Sequence, residues 1–124
     1  MLNRSLIYLS GLIIVFQLIG FPVFAGEYKM LKAAELKSIL NEKDFFLMDV
    51  HIPEQTHITG TDAFIDYRKI RQNADKLPAE KNAKIVVYCR SGGMSRSAAY
   101  DLIDMGYTNV YDLKGGIKAF NRVH

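Results

Sequence analysis

Apolar and polar residues follow two different patterns along this chain. Between residues 31 and 41, apolar side chains recur at helical spacing with charged side chains between them, which predicts an amphipathic helix. Residues 45–48 and 85–88 are unbroken apolar runs, and such runs are typical of short strands buried on both faces of a sheet. A short apolar segment at 63–65 predicts a third strand.

The last third of the chain predicts a second helix and one more strand. Apolar residues recur at helical spacing over 98–105, so the helix is predicted to begin near Ser95 and to end at Gly106. Residues 110–111 predict a strand before a terminal helical turn. Strands that alternate with helices and are apolar on both faces indicate an α/β domain, with a small, mostly parallel sheet and helices on both faces.

The first 25 residues differ from the rest of the chain. They contain one charged residue, Arg4, and a nearly unbroken apolar run over 6–24 that a glycine and a proline interrupt near its end. This order predicts a signal peptide for bacterial export to the periplasm, cleaved after Ala25, with residues 26–124 as the remaining domain. The alternative is an uncleaved anchor in the inner membrane, since the run is close to the roughly 20 residues that cross a bilayer.

Composition narrows the class of protein further. A chain of 124 residues with 49% hydrophobic and 23% charged residues indicates a single folded domain and excludes disorder. The formal charge is +3, but the basic residues are scattered, so we expect no nucleic-acid partner. The single cysteine excludes an internal disulfide, dithiol chemistry and a cysteine-rich zinc site.

Three residues with useful chemistry follow the predicted strands. Asp49 and His51 come at the end of one strand, and Cys89 comes directly after another. Parallel sheets bind ligands beyond the carboxyl ends of their strands. We therefore expect the functional site at the carboxyl ends of these two strands.

Cys89 begins a segment that joins a strand to a helix. Gly92 and Gly93 let the backbone curl so that its N–H groups turn inward, and the following helix N-terminus also favours an anion. Arg90 and Arg96 add positive charge, so we expect Cys89 to ionise readily to a thiolate. The alternative is an inert, buried thiol that closes the strand.

Four segments, in order along the chain, resemble the rhodanese domain. They are Leu-Met-Asp-Val at 47–50, His-Ile-Thr-Gly-Thr at 57–61, Tyr-Cys-Arg-Ser-Gly at 88–92 followed by a helix, and the strand and glycine pair within 106–116. The segment at 88–92 resembles the active-site loop of that family. The resemblance covers roughly residues 30–120.

The resemblance implies a sulfurtransferase that needs no cofactor. Its cysteine takes a sulfur atom from a donor such as thiosulfate, holds it as a persulfide and passes it to cyanide or a thiol. Cys89 is then the nucleophile, and the amides of residues 90–95 stabilise the persulfide. The expected binding residues are Arg90, Ser91, Gly92, Gly93, Met94, Ser95 and Arg96.

The chain departs from the family pattern at two positions. Met94 occupies a loop position where many relatives have an arginine, which favours a thiol or persulfide donor unless Arg90 or Arg96 replaces that charge. His51 replaces the arginine that usually follows Asp-Val, and the segment from Asp49 to His57 is shorter than is usual in the family. His51 is a candidate accessory group or a structural imidazole, and we expect Asp49 to fix the loops through hydrogen bonds.

Two other functions remain open. One is a cysteine phosphatase. The spacing disfavours it, because such enzymes have one residue fewer between the cysteine and the arginine than the six that separate Cys89 from Arg96. The other is a noncatalytic module that binds an anion or a peptide in the same loop.

If the domain is exported, its lone thiol meets an oxidising compartment, and we expect a persulfide resting state or a periplasmic reductant as partner.

Overall fold

A computed structural model describes residues 26–124 of the chain. The predicted signal peptide, its cleavage after Ala25 and the alternative membrane anchor lie outside these residues. Within 26–124, no helix combines the length and the apolar character that a bilayer crossing requires.

The described chain forms a five-stranded parallel sheet with helices on both faces, which confirms the predicted α/β class. The strand order across the sheet is β1-β5-β4-β2-β3. The strands are β1 (Lys29–Leu31), β2 (Phe46–Asp49), β3 (Ala63–Phe64), β4 (Ile85–Tyr88) and β5 (Val110–Leu113). The helices are α1 (Ala33–Ile39), α2 (Gly93–Asp104) and α3 (Gly116–Asn121), with short 3-10 helices at Leu40–Glu42, Tyr67–Lys69 and Arg71–Lys76.

The apolar runs of the central strands are buried on both faces, as their pattern predicts. Met48 and Val87 pack on one side of the sheet with the buried face of α2. Leu47 and Val86 point to the other side, where they pack with Leu36 and other residues of α1 and α3. Successive residues of a strand point to opposite faces, so an unbroken apolar run is what a sheet covered on both sides requires.

The structure corrects the predicted starts of two helices. The apolar pattern places Leu31 in the first helix, but this residue pairs with Leu113 at the end of β1, and α1 begins only at Ala33. A three-residue edge strand has too short a pattern to be separated from a neighbouring helix. The second helix begins at Gly93 rather than near Ser95, because Gly92 already accepts the first helical hydrogen bond from Arg96 N–H, at 3.1 Å.

The two strands that carry the candidate residues are direct neighbours. Asp49 at the end of β2 pairs with Tyr88 at the end of β4, and Cys89 follows Tyr88. Because both strands are parallel, their carboxyl ends meet at one edge of the sheet. This edge holds Asp49, His51 and the Cys89 loop.

Candidate active site

The Cys89 sulfur lies under the first turn of α2. Gly92 N–H donates to Cys89 Sγ at 3.0 Å, and the thiol donates to Ser95 Oγ at 3.3 Å. The residue is only 2% exposed and packs in the apolar cluster on the α2 side. Burial agrees with the alternative of an inert thiol, but that alternative does not predict two polar partners on the sulfur.

The loop after Cys89 is open on its outer side. Gly92 has φ of +135°, a conformation that side chains other than glycine rarely adopt. A Cβ atom added at Gly92 or at Gly93 would meet nothing within 4 Å. A small molecule therefore has room to approach the loop. Of the amides in 90–95, Gly92 N–H is the donor to Sγ in the described structure, and the participation of the others stays a prediction.

The N-terminus of α3 holds the backbone of the loop. Ile117 N–H donates to the Cys89 carbonyl at 2.9 Å, and Lys118 N–H donates to the Arg90 carbonyl at 3.1 Å. Gly116 packs so closely that a Cβ atom there would lie 2.5 Å from both carbonyl oxygens. The sequence indicated a glycine pair before a helical turn, but not that this turn binds the cysteine loop.

The residues of the loop differ in their exposure to solvent. Arg90, Ser91 and Gly93 are exposed, whereas Met94 is half-buried and packs against the apolar cluster beneath α2. Arg96 is exposed, and its guanidinium favours ionisation of the Tyr28 hydroxyl, although burial and Asp112 outweigh this effect.

A buried carboxyl group that the sequence did not indicate lies in β5, the strand that pairs with β4. Asp112 in β5 is 1% exposed, and its Oδ2 accepts a hydrogen bond from Tyr28 OH at 2.5 Å. Burial, together with the Asp112 carboxyl, raises the pKa of Tyr28 to about 12. Burial also raises the pKa of Asp112, and the hydroxyl groups of Ser95 and Tyr28 and the charge of Arg96 oppose this shift. A single acidic residue in a short strand carries no pattern that reveals such contacts.

Asp49 organises the neighbouring loop, as expected, through hydrogen bonds. Its carboxylate is fully buried and accepts from His51 N–H at 3.0 Å, from the Gln55 side chain and from His57 Nδ1 at 2.8 Å. The second ring nitrogen of His57 contacts Glu54 at 2.8 Å. The His51 ring contacts the Pro53 carbonyl at 2.8 Å. In the part of the chain described, neither histidine is hydrogen-bonded to Cys89.

Tyr88 connects the cysteine strand to the segment at 57–61. Its hydroxyl accepts from Ile58 N–H at 2.9 Å and shares a hydrogen bond with Thr61 at 2.8 Å. Burial raises the pKa of Tyr88 to about 12, so the hydroxyl stays protonated. Two of the segments that carry the family resemblance are therefore in direct contact.

The contact of His57 with Asp49 predicts a pH-dependent stability. The Asp49 hydrogen bond raises the pKa of His57 above its usual value of about 6.5. Charged His57 therefore stabilises the fold fully below about pH 6.5, and this contribution is lost as the pH rises through the raised pKa. We expect the free energy of unfolding, measured with urea, to fall by about 1 kcal/mol over that range.

A matched pair of histidine variants checks this expectation. His57→Gln should flatten the pH dependence, whereas His124→Gln, which changes an exposed histidine at the chain end, should leave it unchanged. A wild-type stability that rises over the same pH range would contradict the role of His57.

A shallow surface cleft of about 310 Å³ lies away from these residues. It is lined by Phe46 and Lys84, at the amino ends of β2 and β4, together with neighbouring charged residues. Cys89 follows the carboxyl end of β4, so the cleft and the cysteine are at opposite edges of the sheet. Within residues 26–124, no cluster of side chains has the composition of a metal site.

Comparison with known proteins assigns most of the chain to one family. The sequence profile of the Rhodanese-like domain matches residues 32–122. Thiosulfate sulfurtransferase GlpE of Coxiella burnetii is 28% identical over 100 residues, which covers 78% of this chain and 91% of the relative. Thiosulfate sulfurtransferase PspE of Escherichia coli is 29% identical over 112 residues, 88% of each chain. A rhodanese-related protein from Thermoplasma volcanium has a similar solved structure, with a TM-score of 0.64 and 25% identity over 76% of this chain and 91% of that chain.

Proposed function

This chain belongs to the rhodanese-like domain family, and we propose that it is a sulfurtransferase whose Cys89 carries a sulfane sulfur as a persulfide. Two relatives that align over most of their length are named thiosulfate sulfurtransferases, which supports this class of activity. The observation that carries the proposal is the position of Cys89 Sγ, which has an amide donor and a hydroxyl beside it beneath an open loop.

The first half of the reaction loads the cysteine. The Cys89 thiolate attacks the sulfane sulfur of the donor, and a new S–S bond forms. With thiosulfate, the bond between the two donor sulfurs breaks and sulfite leaves with its electron pair. Cys89 then holds a persulfide with its negative charge on the outer sulfur.

The second half of the reaction transfers the outer sulfur from Cys89 to an acceptor. An acceptor such as cyanide or a thiolate attacks the outer sulfur, and the electron pair of the S–S bond returns to Cys89 Sγ. The products are thiocyanate or a new persulfide, together with the regenerated thiolate. Donor and acceptor together balance the electrons, so no separate oxidant or reductant enters the cycle.

The site stabilises negative charge on sulfur by hydrogen bonding. Gly92 N–H already donates to Sγ. In the thiol form, Ser95 Oγ accepts from Cys89 and donates to the Gly92 carbonyl at 3.1 Å. Once Cys89 loses its proton, the same hydroxyl can rotate and donate to sulfur instead. The N-terminus of α2, at which the sulfur lies, favours the same charge.

A direct measurement of the persulfide tests this function. Purified protein is incubated with thiosulfate or with a low-molecular-weight persulfide, and its intact mass is then determined. A gain of one sulfur atom that cyanide removes as thiocyanate is the expected result. An unchanged mass with every donor would favour the noncatalytic binding module, and hydrolysis of an aryl phosphate would favour the phosphatase.

The presence of Met94 in the loop favours a sulfur donor that has no sulfonate group. The apolar side chain of Met94 packs on the cluster beneath α2 and offers no N–H donor to a ligand at the loop. A guanidinium is the group best suited to hold a sulfonate, through paired N–H donors. We propose that persulfides or other thiol-bound sulfur are better donors here than thiosulfate.

Substitution of Met94 by arginine should change this preference. Met94→Arg is expected to raise kcat/KM for thiosulfate about tenfold relative to a persulfide donor, the size of one charge-assisted hydrogen bond. Gln72→Arg adds the same charge at an exposed position next to Arg71, which pairs with Asp104 at the C-terminal end of α2, and it should leave the ratio unchanged. An equal effect of both variants would indicate general electrostatic attraction rather than a contact in the loop.

A further inference from the structure

Charged side chains are divided unevenly between the two edges of the sheet. At the edge formed by the carboxyl ends of the strands, exposed cations belong to the Cys89 loop, to the start of α2, to the turn after β5 and to α3: Arg90, Arg96, Lys114 and Lys118. In the described chain none of them forms an ion pair with a carboxylate. Exposed cations without a counter-ion attract anions from solution.

The carboxylates at the same edge do not neutralise this charge. Asp49 and Glu54 both contact His57. Asp66 forms an ion pair with the arginine two residues later. Glu35, in the first turn of α1, is exposed and forms no ion pair within residues 26–124. The surroundings of the Cys89 loop therefore carry an excess of positive charge.

The cleft at the opposite edge of the sheet has no such excess. It is lined by two lysines and two aspartates, and one of these lysines, Lys43, forms an ion pair with Asp62. The other, Lys84, lies over the rings of Phe45 and Tyr111. We therefore expect an anion at the Cys89 edge rather than in the cleft.

Two of the cations are connected to the cysteine through the backbone. Arg90 follows Cys89 directly, and Lys118 N–H donates to the Arg90 carbonyl at 3.1 Å. The cysteine is only 2% exposed, but a Cβ atom at Gly92 or Gly93 would meet nothing within 4 Å, so the loop is open on its outer side. A small molecule can therefore reach the outer sulfur of a persulfide while a charged group at its other end stays in solvent near these cations.

We propose that the sulfur acceptor is a small thiol that carries a carboxylate, and that Lys118 and Arg90 attract this carboxylate to the Cys89 loop. The acceptor thiolate attacks the outer sulfur and a new S–S bond forms in the acceptor. The electron pair of the broken S–S bond returns to Cys89. The proposal deepens the proposed function and rests on it, since it names the class of acceptor.

Attraction by separate cations differs from the paired donors that hold a sulfonate. Lys118 and Arg90 raise the local concentration of any anion, an effect of a few fold at an exposed site. A sulfonate is held best by a fork of N–H donors, which the Met94 side chain does not provide. A carboxylate-bearing thiol, or its persulfide as donor, therefore agrees with the preference inferred from Met94.

Three thiols of similar length and different charge test the proposal. They are mercaptopropionate, which is anionic, mercaptoethanol, which is neutral, and cysteamine, which is cationic. The full chain is loaded with sulfur, and the rate at which each thiol removes it is followed by intact mass. The rate with mercaptopropionate is divided by the rate with mercaptoethanol, and this ratio is compared between variant and wild type, so that the reactivity of each thiol cancels.

Removal of either cation should lower this ratio. Lys118→Gln and Arg90→Gln are each expected to lower it about threefold, and Lys118→Glu about tenfold, because attraction becomes repulsion. The corresponding ratio for cysteamine should rise. Lys118→Arg keeps the charge and should restore the wild-type ratio. Added salt should lower the wild-type ratio, because it screens the attraction.

Lys76→Gln is the matched control. Lys76 is exposed and lies two residues before Pro78, whose carbonyl accepts from Tyr107 OH near the amino end of β5. This variant removes the same charge at the other edge of the sheet and should keep the wild-type ratio. An unchanged ratio in Lys118→Gln or Arg90→Gln, an equal change in Lys76→Gln, or an equal loss of rate with all three thiols would overturn the proposal.

The charge preference can also be measured without a persulfide. The Cys89 thiolate attacks the disulfides of the same three compounds, forms a mixed disulfide and releases a thiolate. If no donor loads Cys89 with sulfur, the proposed function fails, and a preference for the dicarboxylate disulfide that Lys118→Gln lowers still supports the anion site. The absence of that preference overturns it. If sulfur is transferred at rates that do not depend on these charges, the proposed function stands and only the anionic acceptor is overturned.

Discussion

Cys89→Ser is expected to lower sulfur transfer by at least about a thousandfold, down to the uncatalysed background. A serine hydroxyl is almost entirely protonated at neutral pH, and its oxygen does not form the S–S bond that stores the sulfur. The side chain keeps nearly the same shape, and the Gly92 N–H that contacts Sγ can still donate to the hydroxyl oxygen. The measurement is the thiocyanate formed per minute from a sulfur donor and cyanide, together with the intact mass after loading.

A surface serine on the same helix provides the control. Ser97→Ala changes an exposed residue near the start of α2 and should keep the wild-type rate. Urea unfolding of Cys89→Ser should show a single transition close to that of the wild type. A sulfur gain on Cys89→Ser would place the carrier on another residue and contradict the assignment.

Gly116→Ala should both destabilise the domain and disable the loop. Gly116 has φ of +60°, and a Cβ atom there would lie 2.5 Å from backbone atoms of Cys89 and Arg90. Backbone atoms cannot move aside as a flexible side chain can, so α3 and the loop must separate. We expect a loss of about 3 kcal/mol of unfolding free energy, from left-handed strain and overpacking together. We also expect roughly a hundredfold loss of rate, because the reacting sulfur is displaced.

A second glycine separates strain from displacement of the loop. Gly106 also has a positive φ, of +99°, but a Cβ atom there would meet only the Lys81 side chain at 3.9 Å. Gly106→Ala should therefore cost about 1–2 kcal/mol and leave the transfer rate per folded molecule unchanged. Equal rates for the two variants would contradict the role of α3 in holding the cysteine loop.

Much of the fold follows from local pattern. The runs at 45–48 and 85–88 predict β2 and β4, because a strand covered on both faces must be apolar throughout. The helical spacing over 98–105 predicts α2, although its start differs by two residues. The pattern did not separate β1 from α1, because three residues at a sheet edge carry too little periodicity.

The residues of the candidate site also differ in whether the local sequence identifies them. Residues close in sequence to Cys89, such as Gly92 and Ser95, could be identified because the turn and the helix start are encoded locally. Asp112 and Tyr28 could not, since they reach the site from distant parts of the chain. The sequence indicates His57 only through the family resemblance, and its contact with Asp49 depends on how the loop after β2 folds back.

The amino-acid sequence by itself therefore determined the α/β class, the strand that presents Cys89 and the glycine turn that follows it. These features depend on side chains and backbone conformations within a few residues of one another. Only the tertiary structure decided that the start of α3 holds the Cys89 and Arg90 carbonyls, and that the Asp112 carboxyl group binds the Tyr28 hydroxyl. The reason is physical: the parallel sheet sets β5 beside β4 and returns the chain end to the loop, so these contacts depend on strand order and not on any local pattern.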